Sequence, residues 1–597
     1  MKVFLSLICV FLLTSNVFSQ QISYHLSMPH PESHYFDVEM ELSGFSSDTL
    51  ELKMPVWAPG SYLVREFPSN VNRVTAMDYT NLAMNVKKTD KNTWQIIGHN
   101  STKIKVNYQV YAFELSVRTS YLDLVHGYLN GTSVFMYVDG AKELPGKLEV
   151  TPYKDFKKVS TALPVALESV VSDGSYFFQF ENYDQLVDCP FEIGNHEEFD
   201  FNAAGVHHRV AMFGQGNYDI AQLKVDMAKI VEEETKVFGV NPNKEYLFIV
   251  HNVTNGGGGL EHKTSTTLGV NRDTYDKEHY TDFLNVMAHE YFHLWNVKRL
   301  RPYALGPFDY DHENYTSSLW FSEGFTSYYA DIFLRRAGFY TEDKLTHSVV
   351  SGINYIERMI GNKVQPVADA SFDAWIKSYR PNENSSNSTV SYYSKGRILG
   401  AVFDAMIIAK YNGEKNLDDF MRMMYELYAV KLNRGFTDKE LESEFSKFLG
   451  EDMSTFFQQY IYDTKTIDYG KYFDAIGFVV ENNGKPVPYF GISIQEIPGG
   501  LWVKTVNAGS PAEAIGLSPN DAIIQVNGAL MTAKEWNEFM KGLKKGKTFE
   551  LAFVRDGVLM KATATMGEIT LPVYEGKVTK DKEKLKLYEV WTKTSVK

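Results

Sequence analysis

The feature that most restricts the fold is a change of hydrophobic period partway along the chain. From Gln21 to about Phe201 the apolar runs are short and alternating, as in HYFDVEMELSG and STKIKVNYQVYAF, with turn residues between them. Tyr35, Val38 and Met40 interleave with polar residues, as a half-buried strand requires. KEYLFIVHN (Lys244–Asn252) reads as one more strand, and a glycine run follows it. After Thr281 the spacing becomes three and four residues, in DFLNVMAHEYFHLWNVKRL and SSLWFSEGFTSYYADIFLRRAG, so both read as helices. Helical patterns continue to about Asp468, and Thr437 and Glu440 stand at capping-box spacing. A compact β-rich unit follows the linker ENNGKPVP. The expected fold class is therefore multidomain α+β, opening with a β-sandwich-like domain.

Residues 1–19 read as a leader rather than as fold. Lys2 precedes an apolar run, Val3–Leu13, and Val17 and Ser19 fit a cleavage site. As a helix that run rises only about 16 Å, against about 30 Å for a membrane core. An exported protein, periplasmic or extracellular, with no transmembrane segment in the mature chain is expected. Cys9 leaves with the leader, so Cys189 is the one mature cysteine and intramolecular disulfides are excluded. The net charge of -14 argues against a nucleic-acid partner, which needs clustered Lys and Arg.

His289-Glu290-x-x-His293 carries the chemistry. Four residues along a helix bring the second imidazole about 40° past one full turn, so both histidines project from one face. Glu290 lies off that axis, near enough to take a proton from a metal-activated water. A pattern this short also arises by chance. Glu323 is the expected third ligand, because an acid among Leu319, Trp320, Phe321 and Phe325 should be paired or bound to metal. One Zn²⁺ per chain is the expected cofactor.

HEYFHLWNVKRLRP (His289–Pro302), LWFSEGFTSYYA (Leu319–Ala330) and MPVWAPGSYLVREF (Met54–Phe67) resemble the glycyl aminopeptidase family of zinc metallopeptidases. The resemblance spans nearly the whole mature chain. It implies a thermolysin-like catalytic domain and removal of N-terminal residues, small ones such as Gly or Ala, from peptides with a free N-terminus. GGLEH (Gly258–His262) is similar to the Gly-x-Met-Glu-Asn loop of the broader gluzincin aminopeptidases, with Leu260 for Met and His262 for Asn. By that match Glu261 binds the substrate's α-amino group, and Gly258 and Gly259 let backbone approach the peptide. YYSKG (Tyr392–Gly396) is similar to their Tyr-x-Lys-Gly segment, which assigns the oxyanion donor to Tyr393, with Tyr392 as the competitor. Lys298, Arg299 and Arg301 read as helix-end charges rather than as ligands of a substrate carboxylate.

YFGISIQEI through NDAIIQVNG (Tyr489–Gly528) resembles a PDZ domain, with Phe490, Gly491 and Ile492 as the loop that receives a peptide or protein C-terminus. The resulting division is a leader at 1–19, a β-rich domain at 20–203 and a zinc peptidase domain at 204–410. A helical extension at 411–480, the PDZ domain at 485–570 and a charged tail at 571–597 follow; that tail is either a solvated end or a docked helix. Two rival readings stand beside the aminopeptidase: a zinc endopeptidase of the same fold, and a non-catalytic PDZ scaffold on a peptidase fold.

Overall fold

Along Tyr35–Ser43 every second side chain is buried, and this strand pairs antiparallel with Gln21–Ser27 and with Lys103–Tyr111. The computed structural model to which it belongs describes residues 20–592 apart from 46, 99–100, 102 and 167–173. The leader read at 1–19 lies outside them. Of the described residues, one compact unit comprises those up to Val56 together with Glu66–Asn195; the other comprises Trp57–Arg65 and those from His196 onward. The first unit holds a ten-stranded and a four-stranded sheet, and Cys189 is buried within it.

The second unit begins earlier than the boundary expected at 203. Glu197–Ala203 is already a strand of its five-stranded sheet, paired with Val206–Phe213. Val206–Phe213, Glu245–Val253 and Ser265–Asn271 run parallel, and the short strand Gly259–Glu261 closes one edge antiparallel to the last of them. Helix α1 (Ile220–Phe238) makes the crossover between the first two parallel strands, started by an Asp219 cap and stopped at Gly239. Next come α2 (Tyr280–Phe292), α3 (Leu319–Arg336) and α4 (Tyr392–Lys410). Most faces of α3 are buried, which suits a helix enclosed by protein. The capping box at Thr437 and Glu440 is formed, ahead of a helix at Asp438–Leu449. Among the described residues no helix is long and apolar enough to cross a membrane.

Two glycines set how closely α3 and α4 cross. A Cβ on Gly324 would fall 2.3 Å from Gly396 Cα, and one on Gly396 would fall 2.1 Å from Trp320 O. The helix backbones therefore touch at a point where any side chain would push them apart. Gly324 follows Glu323, and Gly396 lies one turn beyond Tyr393, so the contact brings these two side chains to the same end of the crossing.

The PDZ unit is a five-stranded sheet with Ile492–Ile497 at its edge, packed on the helix Ala533–Gly542. It is inserted through a two-stranded neck, Pro486–Tyr489 with Gly567–Thr570 and Phe478–Asn482 with Tyr574–Val578. Beyond it the chain returns to the catalytic helices. Helix α5 (Lys582–Thr592) buries Tyr588 and Trp591, and the Trp591 indole N–H donates to Tyr328 Oη at 3.0 Å. The described part of the tail is thus docked. Its charges lie on the outer face and hide a short apolar stripe. Trp591→Ala is expected to destabilise this unit by about 3–5 kcal/mol through lost burial. The check is the urea midpoint followed by tryptophan fluorescence, and an unchanged midpoint would show that α5 contributes nothing.

Candidate active site

Helix α2 delivers His289 and Glu290 in its last turn, and His293 sits at its C-cap. The two imidazoles face each other with Nε2 atoms 3.0 Å apart. Glu323 reaches across from α3, its Oε2 lying 3.4 Å from His289 Nε2 and 3.3 Å from His293 Nε2. Each imidazole is held from behind. His293 Nδ1–H donates to the Asn296 carbonyl at 2.6 Å, and His289 Nδ1 lies 3.4 Å from Ser327 Oγ, which itself donates to Glu323 O. A proton fixed on Nδ1 leaves the Nε2 lone pair pointing inward. Two nitrogen lone pairs and one carboxylate oxygen converging this closely fit a divalent cation with N/O preference, and zinc suits that donor set.

The charges agree with this fit. Burial opposes ionisation of Glu323, but the imidazoles of His293 and His289 outweigh it and hold its carboxyl below the usual range. Burial likewise opposes charge on His293, and Glu323, Glu261 and Glu290 together push its pKa up. Burial lowers that of His289. Three carboxylates against two imidazoles make a pocket that favours a cation.

Glu290 projects beside this trio, and polar atoms of Glu261, Glu290 and His293 all lie within 4.8 Å of one another. Glu261 stands at the end of the edge strand Gly259–Glu261 and is only 4% exposed. Burial raises the pKa of its carboxyl, His293 opposes that, and Glu323 adds to it. A Cβ on Gly259 would fall 2.4 Å from Glu290 Cγ, so this glycine also makes room for Glu290. Gly258 adopts a φ of +91°, which turns the chain into the edge strand.

Tyr392 and Tyr393 open α4 behind the Ser391 cap, which accepts from Ser394 N–H. Tyr392 is fully buried, whereas Tyr393 is half-buried with its ring centroid 6.3 Å from that of His289. The geometry therefore favours Tyr393 as the tyrosine that reaches a bound substrate. Arg299 donates to Asn243 Oδ1 and to the Leu294 carbonyl, both at 2.7 Å, which is a structural role. In the PDZ unit Phe490 is a core residue packed against Trp536 and Phe549, Gly491 has a φ of +89°, and Ile492 starts the edge strand.

Sequence reasoning missed Asn296. Its side-chain amide donates to Ser322 O at 3.0 Å and to Thr326 Oγ1 at 3.1 Å, while its carbonyl accepts from His293. One buried asparagine thereby ties a candidate ligand on α2 to the helix that carries Glu323. It also corrects the helix read through Leu300. Helix α2 ends at Phe292, and the chain continues in tight turns with Leu294, Trp295 and Leu300 buried, because Asn296 must turn toward α3. An asparagine among apolar residues was the available signal, since a buried amide needs partners.

Three stretches of the chain match family models: the M61 peptidase N-terminal domain at residues 23–195, the M61 glycyl aminopeptidase at 282–399, and a PDZ domain at 488–566. Among solved structures, an aminopeptidase N family protein from Idiomarina loihiensis is 31% identical, with 95% of this chain and 100% of that chain covered and a TM-score of 0.88. An M1 zinc metallopeptidase from Deinococcus radiodurans is 13% identical over 75% of this chain and 94% of that one, with a TM-score of 0.48, a likeness too distant to carry an argument. No curated protein matches the chain.

Proposed function

Since the chain belongs to the M61 glycyl aminopeptidase family and is thereby a zinc peptidase, we propose that it removes single N-terminal residues, small ones such as Gly or Ala, from peptides. In this reading one zinc serves each chain, and the leader at 1–19 places the enzyme outside the cytoplasm. The observation that carries it is Glu261. This third carboxylate is buried beside Glu290 and His293, where burial raises its pKa while the positive charges of His293 and Lys298 act the other way. With Glu290 and Glu323 it makes three buried carboxylates around two imidazoles, an arrangement that favours a further cation, and the α-ammonium of a peptide supplies one.

His289, His293 and Glu323 would hold the zinc, which when bound acidifies a water and polarises the scissile carbonyl. Glu290 takes the proton of the attacking water and delivers it to the leaving nitrogen as the C–N bond breaks. The Tyr393 O–H donates to the developing oxyanion, helped by the positive N-terminal end of α4. Glu261 holds the ammonium and fixes the register, so that the first peptide bond is the one presented to Glu290 and Tyr393. The PDZ groove beside Ile492–Ile497 takes an extended peptide by strand addition.

The test is a set of Gly-, Ala-, Leu- and Arg-aminoacyl substrates beside N-acetylated peptides. Small free-amine substrates are expected to be cleaved and blocked ones not. Glu261→Gln is expected to lower kcat/KM for the free-amine substrates about ten- to a hundred-fold, the worth of a charge-assisted contact. Equal cleavage of blocked and free peptides would make the enzyme an endopeptidase. No cleavage by zinc-loaded protein would favour the scaffold.

A further inference from the structure

MPVWAPGSYLVREF, among the longest motifs in the chain, lies outside the helices that carry His289, His293 and Glu323. Residues on either side of Trp57–Arg65 belong to the first compact unit, while these nine pack within the second. Their centre is a tight turn. Ser61 N–H donates to Ala58 O at 2.9 Å, with Pro59 in the second position and Gly60 in the third at a φ of +88°. Proline followed by a residue of positive φ is the signature of a type II turn.

The tip of this turn rests on Glu261. A Cβ on Gly60 would fall 2.5 Å from Glu261 Oε1 and 2.6 Å from Oε2, so there is no room for one methyl group. Nor can the turn retreat. Trp57 is fully buried, its ring 5.0 Å from that of Trp375, and its indole N–H donates to Asp309 O at 2.8 Å. Tyr62 packs edge-on against Trp375 and Tyr379, and Arg65 donates to Ser61 Oγ from Nη2 at 3.1 Å. Tyr379 O–H points at the Gly60 carbonyl at 3.4 Å.

We infer that the Ala58–Ser61 turn is the end wall of the substrate cleft, and that Gly60 is the positioning residue that sets the Glu261 carboxylate against the substrate's α-ammonium. The inference rests on reading Glu261 as the amine anchor. Charge and volume then act together on the first nitrogen of the substrate. An acylated nitrogen brings no charge to offset Glu261, and its acyl group has no space, because the turn already touches both carboxylate oxygens. The enzyme stops after one residue because the cleft ends there.

The experiment is a double-mutant cycle in the full-length, zinc-loaded protein. Kinetics on an alanyl anilide are measured for Gly60→Ala, Glu261→Gln and the double variant, with zinc content and melting temperature recorded for each. Gly60→Ala displaces the carboxylate, so kcat/KM is expected to fall about ten- to a hundred-fold with zinc retained. The effect should appear mainly in KM, and affinity for alaninamide as a free-amine inhibitor should fall with it. The double variant is expected to be no worse than the weaker single variant, because both changes remove one contact. Additive losses, or an unchanged Gly60→Ala enzyme beside a damaged Glu261→Gln enzyme, would overturn the wall while leaving the anchor standing. An undamaged Glu261→Gln enzyme would overturn the anchor, and the wall with it. Should Gly60→Ala fail to fold, Pro59→Ala loosens the turn without adding bulk at its tip. A smaller fall is then expected, again absent in the Glu261→Gln background, and a fall that persists there would overturn the proposal.

Discussion

Glu290→Gln is expected to lower kcat about a thousand-fold while zinc stays bound at its wild-type stoichiometry. The two halves of that result have separate causes. The three side chains that converge on one point are His289, His293 and Glu323, and Glu290 stands outside that set, grouped instead with Glu261 and His293. Removing its charge therefore leaves the three proposed ligands in place. An amide has nearly the same shape, so the space that Gly259 leaves by having no Cβ accommodates it as well. What the amide lacks is basicity. It cannot take the proton of the attacking water or return it to the leaving nitrogen, a function worth about 10²–10⁴-fold. The measurement is kcat on an alanyl substrate with metal analysis of the same preparation. Near-normal turnover would remove Glu290 as the base, and loss of zinc with loss of rate would make it a ligand.

The parts of this protein legible in its sequence are those written at short range. Alternation in Tyr35–Ser43 follows from one residue's relation to the next but one, and the pairing of His289 with His293 follows from one helical turn. Glu323 was legible for a related reason: a charge inside a hydrophobic helix has to be compensated, whatever lies opposite. Contacts between distant segments left no such trace. The Gly324–Gly396 crossing depends on two residues that look ordinary in isolation. Asn296 interrupts a pattern that reads as helix through Leu300, and only the position of α3 explains why the helix stops at Phe292. The Ala58–Ser61 turn is recognisable locally from Pro-Gly, but nothing near it announces that its tip meets Glu261, some two hundred positions later in the chain. Charge masked the docking of α5, whose buried Tyr588 and Trp591 are too few to set a clear period.

Glu323→Ala is expected to strip the zinc and, with it, all measurable activity. Glu323 is the proposed ligand that joins two helices: its carboxylate oxygen lies at nearly equal distances from both imidazoles, and it is 2% exposed, so water cannot readily take its place. Deleting it removes one of three donors and the negative charge that most favours a cation at that point. Loss of an outer hydrogen-bond partner of a metal ligand typically costs about 10–100-fold in metal affinity, and loss of the ligand itself should exceed that. The fold is expected to survive, because Gly324, Gly396 and the apolar residues around Glu323 hold α3 against α4 without it. Dialysis against a weak chelator followed by metal analysis separates the outcomes. Wild-type protein should keep zinc and activity together, and the variant should lose both while its melting temperature stays close to that of chelator-stripped wild type. Glu323→Ala protein that retained a full zinc complement would point to Glu261 as the third ligand, since it and Glu290 are the remaining carboxylates grouped with His293. That outcome would also free the α-ammonium of its anchor, so this one substitution tests the metal centre and the amine site together.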